Sequence, residues 1–290
     1  MKSLRQILIS GRPVMMPGVF DALSALIAVR AGFDGVFLSG SALAYSQLGQ
    51  PDIGLVTLSE VAGALARIRD RVTIPILVDA DSGFGNALNV ARTVRVLERA
   101  GASAIQIEDQ LNHKRPSDLT ARPLISASEM VGKIKAALDA RRSEDTLISA
   151  RSDAPFTLGV DETMARAQAY AEAGADIVFV EGFTDLAHIK RLTNTFRGRE
   201  PLLHNLIDGG SSPVQSVNEA TELGFAIVLF PGVAVQSAAS AMERALATLK
   251  ADGHTKALRG TMHDAKSLNR LIDAPDVLAA AKQYDEDRQN

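Results

Sequence analysis

Eight short runs rich in β-branched residues alternate along the chain with eight Ala-rich stretches whose apolar residues recur every three or four positions. The runs fall at 14–19, 36–39, 74–79, 104–107, 146–150, 177–180, 202–204 and 226–230. The helical stretches fall at 21–31, 58–68, 87–100, 127–140, 161–173, 186–194, 214–223 and 235–250. Strands separated by helices pair in parallel through crossovers, and runs without a polar residue, such as 74–78 and 177–180, read as covered on both faces. Gly32, Gly101, Gly174 and Gly224 each follow a helical stretch and precede an apolar run, where glycine suits the left-handed residue that ends a helix. The pattern predicts an α/β fold, a (β/α)8 TIM barrel over residues 1–250, with an open doubly wound sheet as the alternative. Residues 111–126 form a polar insertion after the fourth run. Residues 251–290 add about two more helical patterns, expected as a C-terminal helical extension of the same domain.

The 290 residues include no cysteine, which excludes disulfides, thiolate metal sites and cysteine nucleophiles. Thirty-one Lys+Arg stand against 34 Asp+Glu, a formal net charge of −3. These charges are spread without long runs of one sign, which argues against a nucleic-acid surface. No stretch approaches the ~20 apolar residues that a bilayer crossing requires, and Arg12 and Pro13 interrupt the N-terminal apolar patches before a signal-peptide core could form. The expectation is a cytoplasmic protein with no membrane and no nucleic-acid partner.

In a (β/α)8 barrel the reactive groups stand where the strands end. The third run ends in Asp79 and Asp81, the fourth in Glu108, the fifth in Arg151, the sixth in Glu181, and the seventh in His204 and Asn205. In an extended chain, Asp79 and Asp81 point the same way. Carboxylates sharing one mouth repel each other, and a hard divalent ion with oxygen ligands relieves this; Mg²⁺ fits, and Mn²⁺ also. The alternative for any one of these acids is a helix cap. Arg151 could pair with Glu108 or Glu181, or bind a substrate carboxylate bidentately. The small residues Ser39, Gly40 and Ser41 could present backbone N–H groups to an oxyanion or form a plain turn. The stretch 83–86, GFGN, lacks a complete nucleotide-binding pattern.

The stretches FLSGS at 37–41, LGQPD at 48–52, VDADSGFGN at 78–86, NVARTV at 89–94, IEDQ at 107–110, ISARSD at 148–153 and NLIDGG at 205–210 together resemble the isocitrate lyase/phosphoenolpyruvate mutase superfamily over nearly the whole chain. The spacing is most similar to the methylisocitrate lyase branch. The resemblance implies a barrel whose last helix is exchanged between subunits of a homodimer or homotetramer, and a Mg²⁺-dependent site for small 2-oxo or 2-hydroxy carboxylates. It implies that Asp79 ligates the metal, with Asp81, Glu108 and Asp52 holding it directly or through water. Ser39, Gly40 and Ser41, with Arg151, would hold a pyruvate-like carboxylate, and Glu181 and Asn205 would line the rest of the pocket.

The insertion departs from the family. Methylisocitrate and isocitrate lyases carry a cysteine and a histidine on this gating loop, where the chain has Pro116 and Asp118. A thiol acid is excluded. The resemblance therefore implies a Mg²⁺-dependent carbon–carbon lyase acting through a stabilised enolate, with decarboxylation of oxaloacetate as the expected reaction, since the cysteine-free loop is similar to that of oxaloacetate decarboxylases. Those enzymes use a histidine near the eighth strand, where this chain has Phe230-Pro231-Gly232-Val233. The alternatives are a methylisocitrate- or dimethylmalate-type lyase with Lys114 or His113 as acid, and phosphonomutase or phosphonopyruvate hydrolase chemistry.

Overall fold

The computed structural model describes residues 2–111 and 122–285, which fall into two compact units, residues 1–235 and 236–290. In the first unit, β1 (Val14–Val19), β2 (Val36–Leu38), β3 (Ile76–Asp79), β4 (Ala104–Glu108), β5 (Leu147–Ser152), β6 (Ile177–Val180), β7 (Leu202–Asn205) and β8 (Ile227–Phe230) form a closed barrel in sequence order. Every neighbouring pair is parallel, and β1 closes on β8 in the register Val14↔Ile227 to Pro17↔Phe230. That closure excludes the open sheet and bears out the predicted barrel.

The helices are α1 (Leu4–Ile9), α2 (Ala22–Arg30), α3 (Gly40–Leu43), α4 (Leu58–Arg69), α5 (Ala87–Arg99), α6 (Ala127–Ala140), α7 (Val160–Glu172), α8 (Leu186–Thr195), α9 (Val217–Leu223) and α10 (Val233–Asp252). Asp21, Thr57, Asn86, Ser126, Asp185 and Ser216 cap α2, α4, α5, α6, α8 and α9 through their side chains. Each accepts from an otherwise orphaned N–H of the first turn, which sets where the loop becomes helix.

Side chains alternate across each strand. One set, including Val36, Leu38, Ile76, Val78, Ile105 and Ile107, packs in a core with residues of α4, α5 and α6. The other set, including Val14, Met16, Phe37, Leu77, Leu147 and Leu203, fills the barrel interior. The interior is therefore a packed apolar plug, and the polar residues that continue these inward rows emerge at the C-terminal mouth.

The differences from expectation have local causes. β3 begins at Ile76 rather than at residue 74, because Pro75 has no N–H to pair. β5 runs on to Ser152, since Arg151 and Ser152 continue the ladder beside Phe179 and Val180. The short helices α1 and α3, and the π-helical turn Ala44–Leu48 after α3, span too few residues to show a period.

The second unit holds most of α10, a 3-10 turn (Lys256–Leu258), α11 (Ala265–Leu271) and α12 (Ala274–Asp285). Among the described residues no helix is long and apolar enough to cross a membrane.

Candidate active site at the barrel mouth

β3 delivers Asp79 to the mouth, and the chain turns sharply there: Asp81 has φ 45°, Gly83 85° and Phe84 59°. Asp81 thus leaves the extended conformation that would align it with Asp79, and its N–H instead donates to Asp79 Oδ1 at 3.2 Å. Left-handed backbone at a non-glycine residue is strained, and several tethers hold it. Lys133 Nζ on α6 donates to the Ser82 carbonyl at 3.0 Å, Thr93 Oγ1 on α5 to the Gly83 carbonyl at 3.1 Å, and the Glu108 N–H to the Asp81 carbonyl at 2.9 Å. Lys133 is buried, which lowers its pKa.

After β2, Ser39 caps α3 by accepting from the Ala42 N–H, and its Oγ lies 3.0 Å from Ser41 Oγ. The Gly40 N–H donates to Asp79 Oδ2 at 3.4 Å, and a Cβ at Gly40 would stand 3.0 Å from that oxygen. A side chain there would press the carboxylate back by a few tenths of an ångström. Asp52 is half-buried in the loop that follows the π-helical turn.

Arg151 lies at the centre of the charged groups. Its Nε and Nη2 donate to Asp153 at 3.2 and 2.9 Å, and Nε lies 3.4 Å from Glu108 Oε2. Burial opposes the charge, but Asp153, Glu108 and Glu181 together hold Arg151 protonated, well above its ordinary pKa. Asp153 is fully buried and also accepts from Arg122 Nη1 at 2.5 Å and Gln110 Nε2 at 2.9 Å. Burial pushes the Asp153 carboxyl up, yet Arg151 and Arg122 outweigh it and the pKa is lowered. Behind it, buried Asp109 accepts from the Asp153 N–H, Ser152 Oγ, Tyr170 OH and Arg166 Nη1.

Glu181, at the exit of β6, accepts from Asn205 Nδ2 at 3.0 Å across the β6–β7 gap. Burial raises its pKa, with the Arg151 charge opposing. A cleft of about 190 Å³ opens beside this pair, lined by Arg122, Phe156, Glu181, Phe183, His204 and Asn205 among others. Arg122 stacks over Phe156 at 3.7 Å. His204 faces the cleft from the opposite side of β7, with Nε2 3.0 Å from Ser212 Oγ and its ring 4.6 Å from Phe225; burial lowers its pKa to about 4.

The structure thus brings Asp79, Asp81, Glu108, Arg151, Glu181 and Asn205 to one mouth, with Ser39, Gly40 and Ser41 beside them. Of the two readings open for Arg151, its pairing is with Asp153 and Glu108. His113, Lys114, Pro116 and Asp118 lie outside the described residues. The insertion's base is described: Leu111 N–H donates to the Pro123 carbonyl, and Gln110 bridges Leu124. Sequence reasoning missed Arg122 and the double role of Asp153, whose partners come from distant positions.

Among the described residues no three carboxylate or imidazole groups converge tightly enough to enclose an ion by themselves. Mg²⁺ keeps several water ligands and is held by one or two carboxylates. Oxygen donors on adjacent strand exits, with no thiolate anywhere in the chain, are the donor set such an ion takes.

Over residues 4–250 the sequence matches the phosphoenolpyruvate phosphomutase family. The chain belongs to the isocitrate lyase/phosphoenolpyruvate mutase superfamily. Within it, the chain is 39% identical to 2,3-dimethylmalate lyase of Eubacterium barkeri over 281 residues, covering 97% of this chain and 96% of that one. It is 42% identical to 2-methylisocitrate lyase of Aeropyrum pernix over 269 residues, 93% of this chain and 86% of the relative. A crystal structure of 2,3-dimethylmalate lyase superposes with TM-score 0.90 at 34% identity, covering 98% and 96% of the two chains. Phosphonopyruvate hydrolase in complex with oxalate and Mg²⁺ superposes with TM-score 0.87 at 31% identity, covering 97% of each. The superfamily expectation is met, and so is the expected class: the chain is an enzyme, a carbon–carbon lyase like the dimethylmalate and methylisocitrate lyases it matches nearly end to end.

Proposed function

We propose that this protein is a Mg²⁺-dependent lyase that breaks the C2–C3 bond of an alkyl-substituted malate, releasing a 2-oxo acid and a second carboxylate. Asp79 would hold the ion, with Asp81, Glu108 and Asp52 bound directly or through water, and the ion supplies Lewis-acid polarisation of the 2-oxygen and its neighbouring carboxylate. The protein's own groups do the rest. Arg151 commits Nε and Nη2 to Asp153, which leaves Nη1 to donate to the substrate's carboxylate near Ser39, Gly40 and Ser41. Asn205 and Glu181 fix the adjoining part of the substrate. In the reaction a carboxylate at the mouth, directly or through water, takes the proton of the 2-hydroxyl, C2 becomes the carbonyl of the 2-oxo acid, and the C2–C3 pair passes to C3 as the enediolate of the leaving carboxylate, which a second proton then quenches. With no cysteine in the chain, that second proton comes from a non-thiol acid on the insertion, His113 or Lys114, or from water.

The observation that carries the substrate class is the cleft beside Glu181 and Asn205. Phe156, Phe183 and Ile207 give it apolar walls and Arg122 a cation, which supports a branched dicarboxylate larger than oxaloacetate. The second reading, decarboxylation of oxaloacetate through the pyruvate enolate, is favoured by Pro116 in place of the loop cysteine. A panel of 2,3-dimethylmalate, 2-methylisocitrate, oxaloacetate and phosphonopyruvate, followed by 2-oxo acid formation, tests this. Turnover of the first two above oxaloacetate supports the proposal, and turnover of oxaloacetate alone overturns it in favour of the decarboxylase. Exposed Met242, Leu246 and Leu278 in the C-terminal unit support the expected homodimer or homotetramer, which light scattering on the eluted protein checks.

A further inference from the structure

Gln106 and Ser149 are polar side chains inside an apolar barrel. Gln106 is 1% exposed and Ser149 0%. Among the described residues, neither Gln106 Nε2, Gln106 Oε1 nor Ser149 Oγ has a hydrogen-bond partner. The two are direct neighbours: Asp79 pairs in register with Gln106, and Gln106 with Ser149. Ile105 and Ile107 pack on the helix side of β4 while Ala104 joins the interior cluster, so alternation places Gln106 on the inner face, one step below Glu108. On β5 the same alternation puts Ser149 between Leu147 and Arg151. Below this pair the interior is wholly apolar, and above it stand Asp79, Glu108 and Arg151. A buried amide without hydrogen bonds destabilises the fold. Leucine or methionine would fill this layer as Leu77, Leu147 and Leu203 fill the one beneath. A local rule broken with no local gain marks a functional position.

We propose that Gln106 and Ser149 form the floor of the metal site and hydrogen-bond the water shell of the divalent ion held by Asp79 and Glu108. They are positioning residues and not ligands. The inference rests on the Mg²⁺ reading above and deepens it. The waters on a cation turn their protons outward and need acceptors; Gln106 Oε1 supplies one and Ser149 Oγ a second, while Gln106 Nε2 donates to a water of the next shell. Partners of this kind contribute about 10–100-fold to metal affinity.

The test titrates metal-free wild type, Gln106→Leu and Ser149→Ala with MgCl₂ by calorimetry, and measures the thermal midpoint of each in EDTA. Gln106→Leu is expected to raise the Mg²⁺ Kd about 10–100-fold while raising the metal-free midpoint by about 2–4 °C, because the unsatisfied amide is gone. Ser149→Ala, which removes one hydroxyl, is expected to move both in the same directions by less, and it decides the matter if Gln106→Leu does not fold. A wild-type Kd in both variants overturns the inference, and so does a lowered metal-free midpoint in Ser149→Ala. Absence of Mg²⁺ binding by the wild type overturns the metal reading itself and this inference with it.

Discussion

Arg151 and Asp153, two positions apart at the exit of β5, form a bidentate pair in which Nε and Nη2 donate to the two carboxylate oxygens at 3.2 and 2.9 Å. The same carboxylate also receives Arg122 and Gln110 from the two ends of the insertion's base. Asp153 is therefore the point through which the loop's base and the substrate-facing guanidinium share one orientation. Asp153→Asn keeps the volume and removes the charge. It should lower kcat/KM about 100-fold, the scale of a misplacement of ~1 Å, and lower unfolding free energy by about 3–5 kcal/mol by leaving buried guanidinium charge uncompensated. Steady-state kinetics and urea unfolding check the two effects.

Arg122 tests the cleft as the seat of a second carboxylate. Stacked on Phe156 and shared with Asp153, it should act mainly in binding. Arg122→Met is expected to raise KM about tenfold for dicarboxylate substrates, one charge-assisted contact at ~1.4 kcal/mol, while kcat changes little. Equal losses in kcat and kcat/KM would place it in the chemistry instead.

Gly40→Ala probes the approach of β2's exit to Asp79. A Cβ 3.0 Å from Asp79 Oδ2 must displace the carboxylate, whereas alanine in place of glycine favours α3 by up to about 1 kcal/mol. The expected outcome is Mg²⁺ affinity weakened about tenfold with the thermal midpoint unchanged or higher, read by calorimetry and thermal unfolding.

His204 gives a pH dependence with a definite sign. Burial lowers its pKa from the ordinary 6.5 to about 4. A folded value below the unfolded one means the unfolded chain takes up the proton first, so this contribution is whole above pH 6.5 and is lost as pH falls toward 4. The difference corresponds to about 3 kcal/mol. His204→Gln should flatten the stability profile between those pH values, as measured by urea unfolding across the range. Glu181 opposes this, since its raised pKa means that ionising it disfavours the fold as pH rises through the raised value.

The barrel was legible because each unit repeats one local rule: an apolar run, a polar capping residue and a helical period. The mouth was legible for the same reason, since Asp79, Glu108, Arg151, Glu181 and Asn205 stand where runs of mainly apolar residues end. The network behind them was not. Arg122 meets Asp153 across 31 positions and Tyr170 meets Asp109 across 61, and no local period reports such pairs. The left-handed turn at Asp81 was likewise hidden, since an extended reading of the stretch after β3 aligns Asp79 with Asp81 where the backbone instead reverses. Gln106 did leave a signal, a lone polar residue inside the run 104–107, but its meaning required the register that sets it beside Asp79 and Ser149.

The central claim is that carbon–carbon cleavage here depends on a divalent ion seated at Asp79. The most direct measurement is 2-oxo acid released from 2,3-dimethylmalate by the wild-type protein in EDTA and after Mg²⁺ is restored, with Asp79→Ala alongside. The account predicts turnover with Mg²⁺, loss of at least 100-fold in EDTA that Mg²⁺ reverses, and no recovery in a folded Asp79→Ala variant, on the scale of the Lewis-acid contribution of several kcal/mol. Turnover that persists in EDTA, or that Asp79→Ala retains, would contradict it.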